Sequence, residues 1–286
     1  MTLITLRPGR NVGQGRLWTW DVSTFLAYWG ALVADDWGLV VSKPFLLTPA
    51  STSLTRAVLD EHGYALIRDV GDQDAAAELL REIGELIPQY HGTLTHEVTY
   101  RPGNEGRSYS QSVNTILAHT EAPGWDPSPA YLALFCHQQA QCGGGHTDLL
   151  DVESLLPELD PAQLALLTEA ELDFPGPAPR PVRTALLRTR ADGKRLLRFS
   201  FNLLTSGDYD PPLDSVPTAD QLPLGEAGRE LAHVVSDTFQ RLRLSILIPD
   251  GALLIWDNQR MLHARSSYAD KARHLTRFWV SDRRVA

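Results

Sequence analysis

Residues 242–280 restrict the fold more than any other part of the chain. Leu242–Ile248 reads as a strand, Pro249-Asp250-Gly251 as a tight turn and Ala252–Trp256 as a second strand. Asp257-Asn258-Gln259 turns again, Met261–Ser266 is a third strand, and His274–Val280 closes the run. Short apolar stretches punctuated by Pro, Gly, Asp and Asn belong to antiparallel sheets, whose neighbouring strands are joined by tight turns. Earlier strands are expected at 64–68, 114–118, 131–137, 149–151 and 195–204. Gly and Pro contribute 21 and 19 of the 286 residues, which favours turn-rich β structure over a helix bundle.

Helices are expected at about 50–62, at 74–87 with Asp74 as cap, at 153–169 and at 225–239, from apolar positions at helical spacing. Residues 91–113 are polar and Gly-rich and read as a mobile loop beside a site. The segment 174–183, crossed by Pro175, Pro177, Pro179 and Pro181, reads as irregular, as does the Pro/Asp-rich stretch 206–222. The expected architecture is mainly β, barrel-like or double-sheeted, with helices on one face. One domain spans 1–286: a core over about 50–285, and an N-terminal extension over 1–45, marked by Trp18, Trp20, Trp29 and Trp37, packed on it.

The formal charge is −9, and no basic face is concentrated along the chain, which argues against nucleic acid or an anionic membrane as partner. Lys43, Lys194 and Lys271 are the lysines, so arginine forks supply most of the positive charge. No apolar run approaches the ~20 residues of a membrane span. The N-terminus lacks a basic region followed by an apolar signal core, and Cys136 and Cys142 do not make a disulfide framework. A cytoplasmic, acidic, β-rich protein is expected.

His119-Thr-Glu121 places an imidazole and a carboxylate at i and i+2, the same face of a strand. A second imidazole, His263, stands in the third C-terminal strand. Two His and one carboxylate on one face of an ion is the arrangement of non-haem Fe(II) oxygenases, which leaves three positions open. The triplet alone is weak. With nine histidines, roughly one His-x-(Asp/Glu) arises by chance, and His146-Thr147-Asp148 is another. Neighbours strengthen the first. Arg277 lies fourteen residues after His263 on the next strand, where a guanidinium can pair with a bound carboxylate. Thr147 follows Gly143-Gly144-Gly145-His146, where glycines let backbone and ligand approach.

His119-Thr-Glu121, Gly144-Gly145-His146-Thr147, Pro249-Asp250-Gly251, Asn258, His263 and Arg277 together resemble the taurine dioxygenase superfamily in order and spacing. The likeness is to the branch holding clavaminate synthase, asparagine oxygenase and arginine β-hydroxylase, which similarly carry His-x-Glu. The resemblance implies a double-stranded β-helix (jelly-roll) core. It implies Fe(II) held by His119, Glu121 and His263, with 2-oxoglutarate as co-substrate and O2 as oxidant. The far carboxylate of 2-oxoglutarate would meet Arg277 and Thr147. His146 and Asp148 would be structural, and a carboxylate at 121 argues against halogenation. The implied reaction is hydroxylation of a small polar, amino-acid-like substrate, with succinate and CO2 released. Desaturation, cyclisation or epoxidation would use the same residues. The branch suggests amino-acid or antibiotic biosynthesis, with the substrate free or tethered to a carrier protein.

One departure stands out. Amino-acid hydroxylases of this branch place a second arginine four residues after the first, to hold the substrate carboxylate; here that position is Ser281, with Asp282, Arg283 and Arg284 following. Arg107, Tyr109 and Gln111 in one loop, and Asp208, Tyr209 and Asp210 in another, are further candidates for substrate contact. Loop acids are often merely solvated. Two other classes stay open: a β-helix protein that only binds a small molecule, and a zinc hydrolase, which would have no use for the Arg277 clamp.

Overall fold

The computed structural model describes residues 46–47 and 52–282. The expected N-terminal extension, and Arg283 and Arg284, lie outside the described residues.

Two antiparallel sheets form the core. The larger is built from β1 (Leu46–Leu47), β2 (Tyr64–Ile67), β3 (Thr95–Thr99), β5 (Tyr131–Gln138), β12 (Leu253–Asp257) and β14 (His274–Val280). Its order is β1-β2-β12-β5-β14-β3, with only the β1–β2 pair parallel. The smaller has β4 (Ile116–His119), β6 (Thr147–Asp151), β11 (Leu244–Ile246) and β13 (Met261–Arg265), in the order β11-β6-β13-β4. Two hairpins, β7 (Glu171–Phe174) with β8 (Val182–Ala185) and β9 (Leu187–Thr189) with β10 (Arg195–Leu197), lie outside these sheets.

Strand pleat sorts side chains between the sandwich interior and its outer faces. On β14, Leu275 and Trp279 join the interior cluster, with Leu254 and Trp256 of β12 and Leu149 of β6. The alternate residues Phe278 and Val280 pack outward with Leu253 and Ile255. Arg277 shares the inward parity of Leu275 and Trp279. By the same alternation Thr147 sides with Leu149, and His263 with Met261, while Leu262 and Ala264 face outward. The residues that matter chemically therefore point between the sheets.

Helices cover both outer faces, not one. α1 (Thr52–His62) and α2 (Gln73–Ile83) bury Val58, Leu59, Ala76, Leu80 and Ile83 against the larger sheet. α5 (Phe201–Ser206) and α6 (Gly225–Leu242) bury Leu203, Leu204, Leu231, Val235 and Phe239 against the smaller. The reason lies in the strands: β12 and β13 are buried on both faces, so each sheet needs a second apolar layer.

Several boundaries differ from the sequence expectation. α2 starts at Gln73 because Asp72, not Asp74, caps it, accepting from the Ala75 amide at 2.9 Å. It stops at Ile83 because Gly84 lies against the Ser281 carbonyl; a Cβ there would come within 1.8 Å. The stretch 153–169 is interrupted at Pro157, and α4 (Pro161–Glu169) restarts from an Asp160 capping box after α3 (Val152–Leu155) and a 3-10 turn. The expected strand 195–204 ends at Leu197, and α5 begins at its Ser200 cap, since Leu203 and Leu204 pack beside α6. The expected loop 91–113 contains β3, which pairs with β14 in register His96 to Arg277.

Candidate metal centre

His119 ends β4 and faces His263 of β13 as a directly opposed cross-strand pair, ring centroids 4.0 Å apart. Glu121 follows two residues later, where the chain has left the strand. Its Oε2 lies 3.9 Å from Nε2 of each histidine. Among the described residues, this is the one grouping of three or more such side chains whose ligating atoms all lie within 4.8 Å of one another.

The surroundings suit a cation. His119 Nδ1 donates to the Leu117 carbonyl at 2.8 Å, which turns Nε2 towards the other two groups. Burial is the main cause holding both imidazoles below their ordinary pKa, His263 strongly so, and both are therefore neutral with free lone pairs at neutral pH. Glu121 is 6% exposed, and a buried carboxylate needs compensation. Arg277 supplies part of it, donating from Nη1 to Oε1 at 2.8 Å. Asn258, fully buried, fixes the backbone: its Oδ1 accepts from the Glu121 amide at 2.7 Å and its Nδ2 donates to the Glu121 carbonyl at 3.0 Å.

Two cavities meet at this point. An inner one between the sheets is lined by His119, Glu121, Thr147, His263, Arg265, Arg273 and Arg277, among others. An outer one of about 680 Å³ is walled by Tyr90, Tyr109, Trp125, Phe201 and Tyr209, with His96, Asp210 and Arg277 among its polar groups. Gly124 and Gly176 touch backbone to backbone on its wall; a Cβ on Gly124 would lie 1.8 Å from the Pro175 carbonyl oxygen.

The structure brings together His119, Glu121, His263, Thr147 and Arg277. Asp210 and Tyr109 line the outer cavity, and Arg107 pairs with Asp210 at 3.2 Å from outside it. Gln111 donates to the Glu97 carbonyl, and Asp208 Oδ1 accepts from the Asp210 amide; neither is among the cavity-lining residues. His146 is held by its amide to Ser266 Oγ, and Asp148 is bound by Ser245 and Arg243, both away from the triad. Ser281 ties the end of β14 to Glu85.

Sequence reasoning missed Gln89 and Arg273. Gln89, 3% exposed, accepts from Arg277 Nε at 2.9 Å. Arg273, 2% exposed, lies across Gly145, where a Cβ would come within 2.9 Å of its Nε, and its buried Nη1 has no hydrogen-bond partner. Its separation of four residues from Arg277 was the available signal.

A family model described as "Taurine catabolism dioxygenase TauD, TfdA family" matches residues 24–279. The chain belongs to this family of dioxygenases. Solved structures similar to this TauD/TfdA chain include asparagine oxygenase in complex with Fe(II), 2S,3S-3-hydroxyasparagine and succinate, at 18% identity and TM-score 0.62, covering 81% of this chain and 80% of that one. A point mutant of the non-heme iron oxygenase OrfP, in complex with (3S)-hydroxy-L-Arg, matches at 18% identity and TM-score 0.60, over 80% and 79% of the two chains. PvcB from Pseudomonas aeruginosa matches at 18% and 0.58, over 83% and 87%. The TauD/TfdA chain shares the jelly-roll core of these oxygenases. No helix among its described residues is long and apolar enough to cross a membrane.

Proposed function

We propose that this TauD/TfdA dioxygenase is an Fe(II)- and 2-oxoglutarate-dependent hydroxylase of an amino-acid-like substrate. The observation that carries the reading is the convergence of His119 Nε2, His263 Nε2 and Glu121 Oε2 at the junction of an inner and an outer cavity. Three donors from two imidazoles and a carboxylate suit Fe(II) and leave positions for a chelating co-substrate and O2. When bound, the iron with 2-oxoglutarate and O2 supplies the oxidation, coupling release of succinate and CO2 to attack on a substrate C–H bond.

The chain's own residues then have separate tasks. The inner cavity takes 2-oxoglutarate, and Thr147 offers a hydroxyl to its far carboxylate. Arg277 was the expected guanidinium partner, but it already serves Glu121 and Gln89. The unpartnered Nη1 of Arg273 favours that residue instead, because a buried guanidinium nitrogen without an acceptor is costly and a carboxylate would satisfy it. Arg273 and Arg277 then keep the four-residue spacing of the branch, shifted from the pair that would have ended at Ser281. Arg277, which faces both cavities, is placed to receive a substrate carboxylate.

The outer cavity restricts the rest of the substrate. Structural neighbours hold hydroxyasparagine and hydroxyarginine. A volume of about 680 Å³ holds roughly twenty waters at ~30 Å³ each, more than a free asparagine fills. Its aromatic walls fit an amino-acid unit borne on a larger, partly apolar body, and a carrier-tethered substrate is compatible with that. Tyr90, Trp125 and Trp279 pack edge to face beside the metal position.

The test is an anaerobic titration of the apoprotein with Fe(II) and 2-oxoglutarate, followed by the visible charge-transfer band of the chelate. The wild type should develop the band, His119→Ala should lose it and His146→Ala should keep it. A folded, iron-loaded wild type without the band would overturn the reading.

A further inference from the structure

The two oxygens of the Glu121 carboxylate are sorted. Oε2 faces both histidines at 3.9 Å, whereas Oε1 receives Arg277 Nη1 at 2.8 Å and the Tyr90 hydroxyl at 3.4 Å. Arg277 is in turn gripped at two points by one residue. Gln89 Oε1 accepts from Arg277 Nε at 2.9 Å, and Gln89 Nε2 donates to the Arg277 carbonyl at 3.0 Å. Gln89 Nε2 also donates to the Leu94 carbonyl at 3.2 Å. The Gln89 backbone is pinned by a turn, its amide bonded to Thr93 O and its carbonyl to the Gly92 amide. The guanidinium lies 5.5 Å from the Trp279 ring and 5.9 Å from that of Tyr90, within reach of both aromatic faces.

We propose that Gln89 is a positioning residue which, by fixing the Arg277 guanidinium on Glu121 Oε1, makes the carboxylate offer a bound Fe(II) one oxygen only. The proposal rests on the iron and 2-oxoglutarate reading above. Carboxylates bind metals through one oxygen or two. With one, three protein donors leave three of six positions, enough for a chelating 2-oxoglutarate and O2. With two, a position is lost and the co-substrates compete for what remains. Holding the second oxygen in a charge-assisted hydrogen bond prevents that collapse. Gln89 lies in none of the motifs that carry the family resemblance, and its side chain reaches Glu121 only through Arg277.

The full-length protein is tested as Fe(II)–2-oxoglutarate complex, anaerobically and at saturating 2-oxoglutarate, with nitric oxide as probe of the last open position. Its binding is read by the electron paramagnetic resonance signal of the iron nitrosyl. In Gln89→Leu, Fe(II) affinity should be kept or tightened while nitric oxide affinity falls about tenfold, the equivalent of one charge-assisted hydrogen bond. Should the leucine variant fail to fold, Gln89→Asn, one methylene too short to reach, must give the same split.

A parallel loss of both affinities would make Gln89 merely structural, and no change in either would also overturn the proposal. A wild type that binds neither Fe(II) nor 2-oxoglutarate would instead overturn the oxygenase reading, and this proposal with it. Wild-type binding with an unmoved Gln89→Leu overturns the positioning role alone.

Discussion

Asn258 holds Glu121 by both of its backbone polar groups: the Glu121 amide donates to Asn258 Oδ1 at 2.7 Å and the Glu121 carbonyl accepts from Asn258 Nδ2 at 3.0 Å. The same Nδ2 also reaches the Pro129 carbonyl at 3.0 Å. Glu121 follows the end of β4, where no sheet ladder fixes it, and Ala122 next to it adopts φ +51°. The side-chain amide replaces the missing ladder.

Removing that amide should therefore cost stability and metal together. Asn258→Ala leaves buried backbone groups without partners, and an apoprotein stability loss of about 2–4 kcal/mol is expected. Fe(II) affinity should fall with it, because Glu121 is no longer held against the two histidines. Urea unfolding of the apoprotein and an Fe(II) titration measure the two effects. Unchanged Fe(II) affinity in the folded variant would show that the histidines alone orient the ion.

Arg273 and Arg277 should separate kinetically. Arg273→Met removes the guanidinium whose Nη1 has no partner and should weaken 2-oxoglutarate binding by roughly tenfold to a hundredfold, the range for a charged hydrogen bond. Arg277→Met should act mainly on substrate KM and on the metal site. Titration of the charge-transfer band with 2-oxoglutarate decides between them. A large loss in the Arg277 variant with none in the Arg273 variant would return the clamp to Arg277.

The outer cavity depends on one backbone contact. Gly124→Ala places a Cβ 1.8 Å from the Pro175 carbonyl oxygen, backbone that cannot swing aside as a side chain would. A stability loss of about 1–3 kcal/mol is expected, as for overpacking, together with a raised substrate KM and an unaltered Fe(II) affinity. Differential scanning calorimetry and metal titration test the pair of outcomes, and an unaltered KM would remove this wall from the substrate site.

Acid should weaken the apoprotein through His96. Burial first, then the Arg277 charge, push its pKa down to about 4, against the opposing pull of Glu121 and Glu97 and with a further lowering from His91. The folded state thus refuses a proton that the unfolded chain accepts. The contribution of His96 is intact above about pH 6.5 and is lost as pH falls from there towards 4. Asp257, pushed up to about 6 by burial, works the other way, losing stability as pH rises between about 4 and 6. Comparing wild type with His96→Gln cancels the Asp257 contribution. Wild-type stability should fall more steeply between pH 6.5 and 4; equal slopes would refute the assignment.

The sequence by itself determined what depends on local periodicity. Strand pleat put His263 inward with Met261, and the turn residues around 249–251 and 257–259 marked β12 and β13; the i, i+2 spacing picked out His119 and Glu121, although Glu121 lies past the end of β4. The amphipathic spacing of 225–239 marked α6. Tertiary structure decided what local signals leave open. β3 looked like loop because its polar sequence becomes a strand only by pairing with β14. Residues 201–206 became helix because Leu203 and Leu204 gain burial beside α6. The tasks of Gln89, Asn258 and Arg273 are written in no local periodicity, because their partners lie at Arg277, Glu121 and Gly145, brought close only by the stacking of sheets and turns. A side chain's alternation along a strand is written in the strand, but the acceptor it meets belongs to another part of the chain, and only packing brings the two within a hydrogen bond.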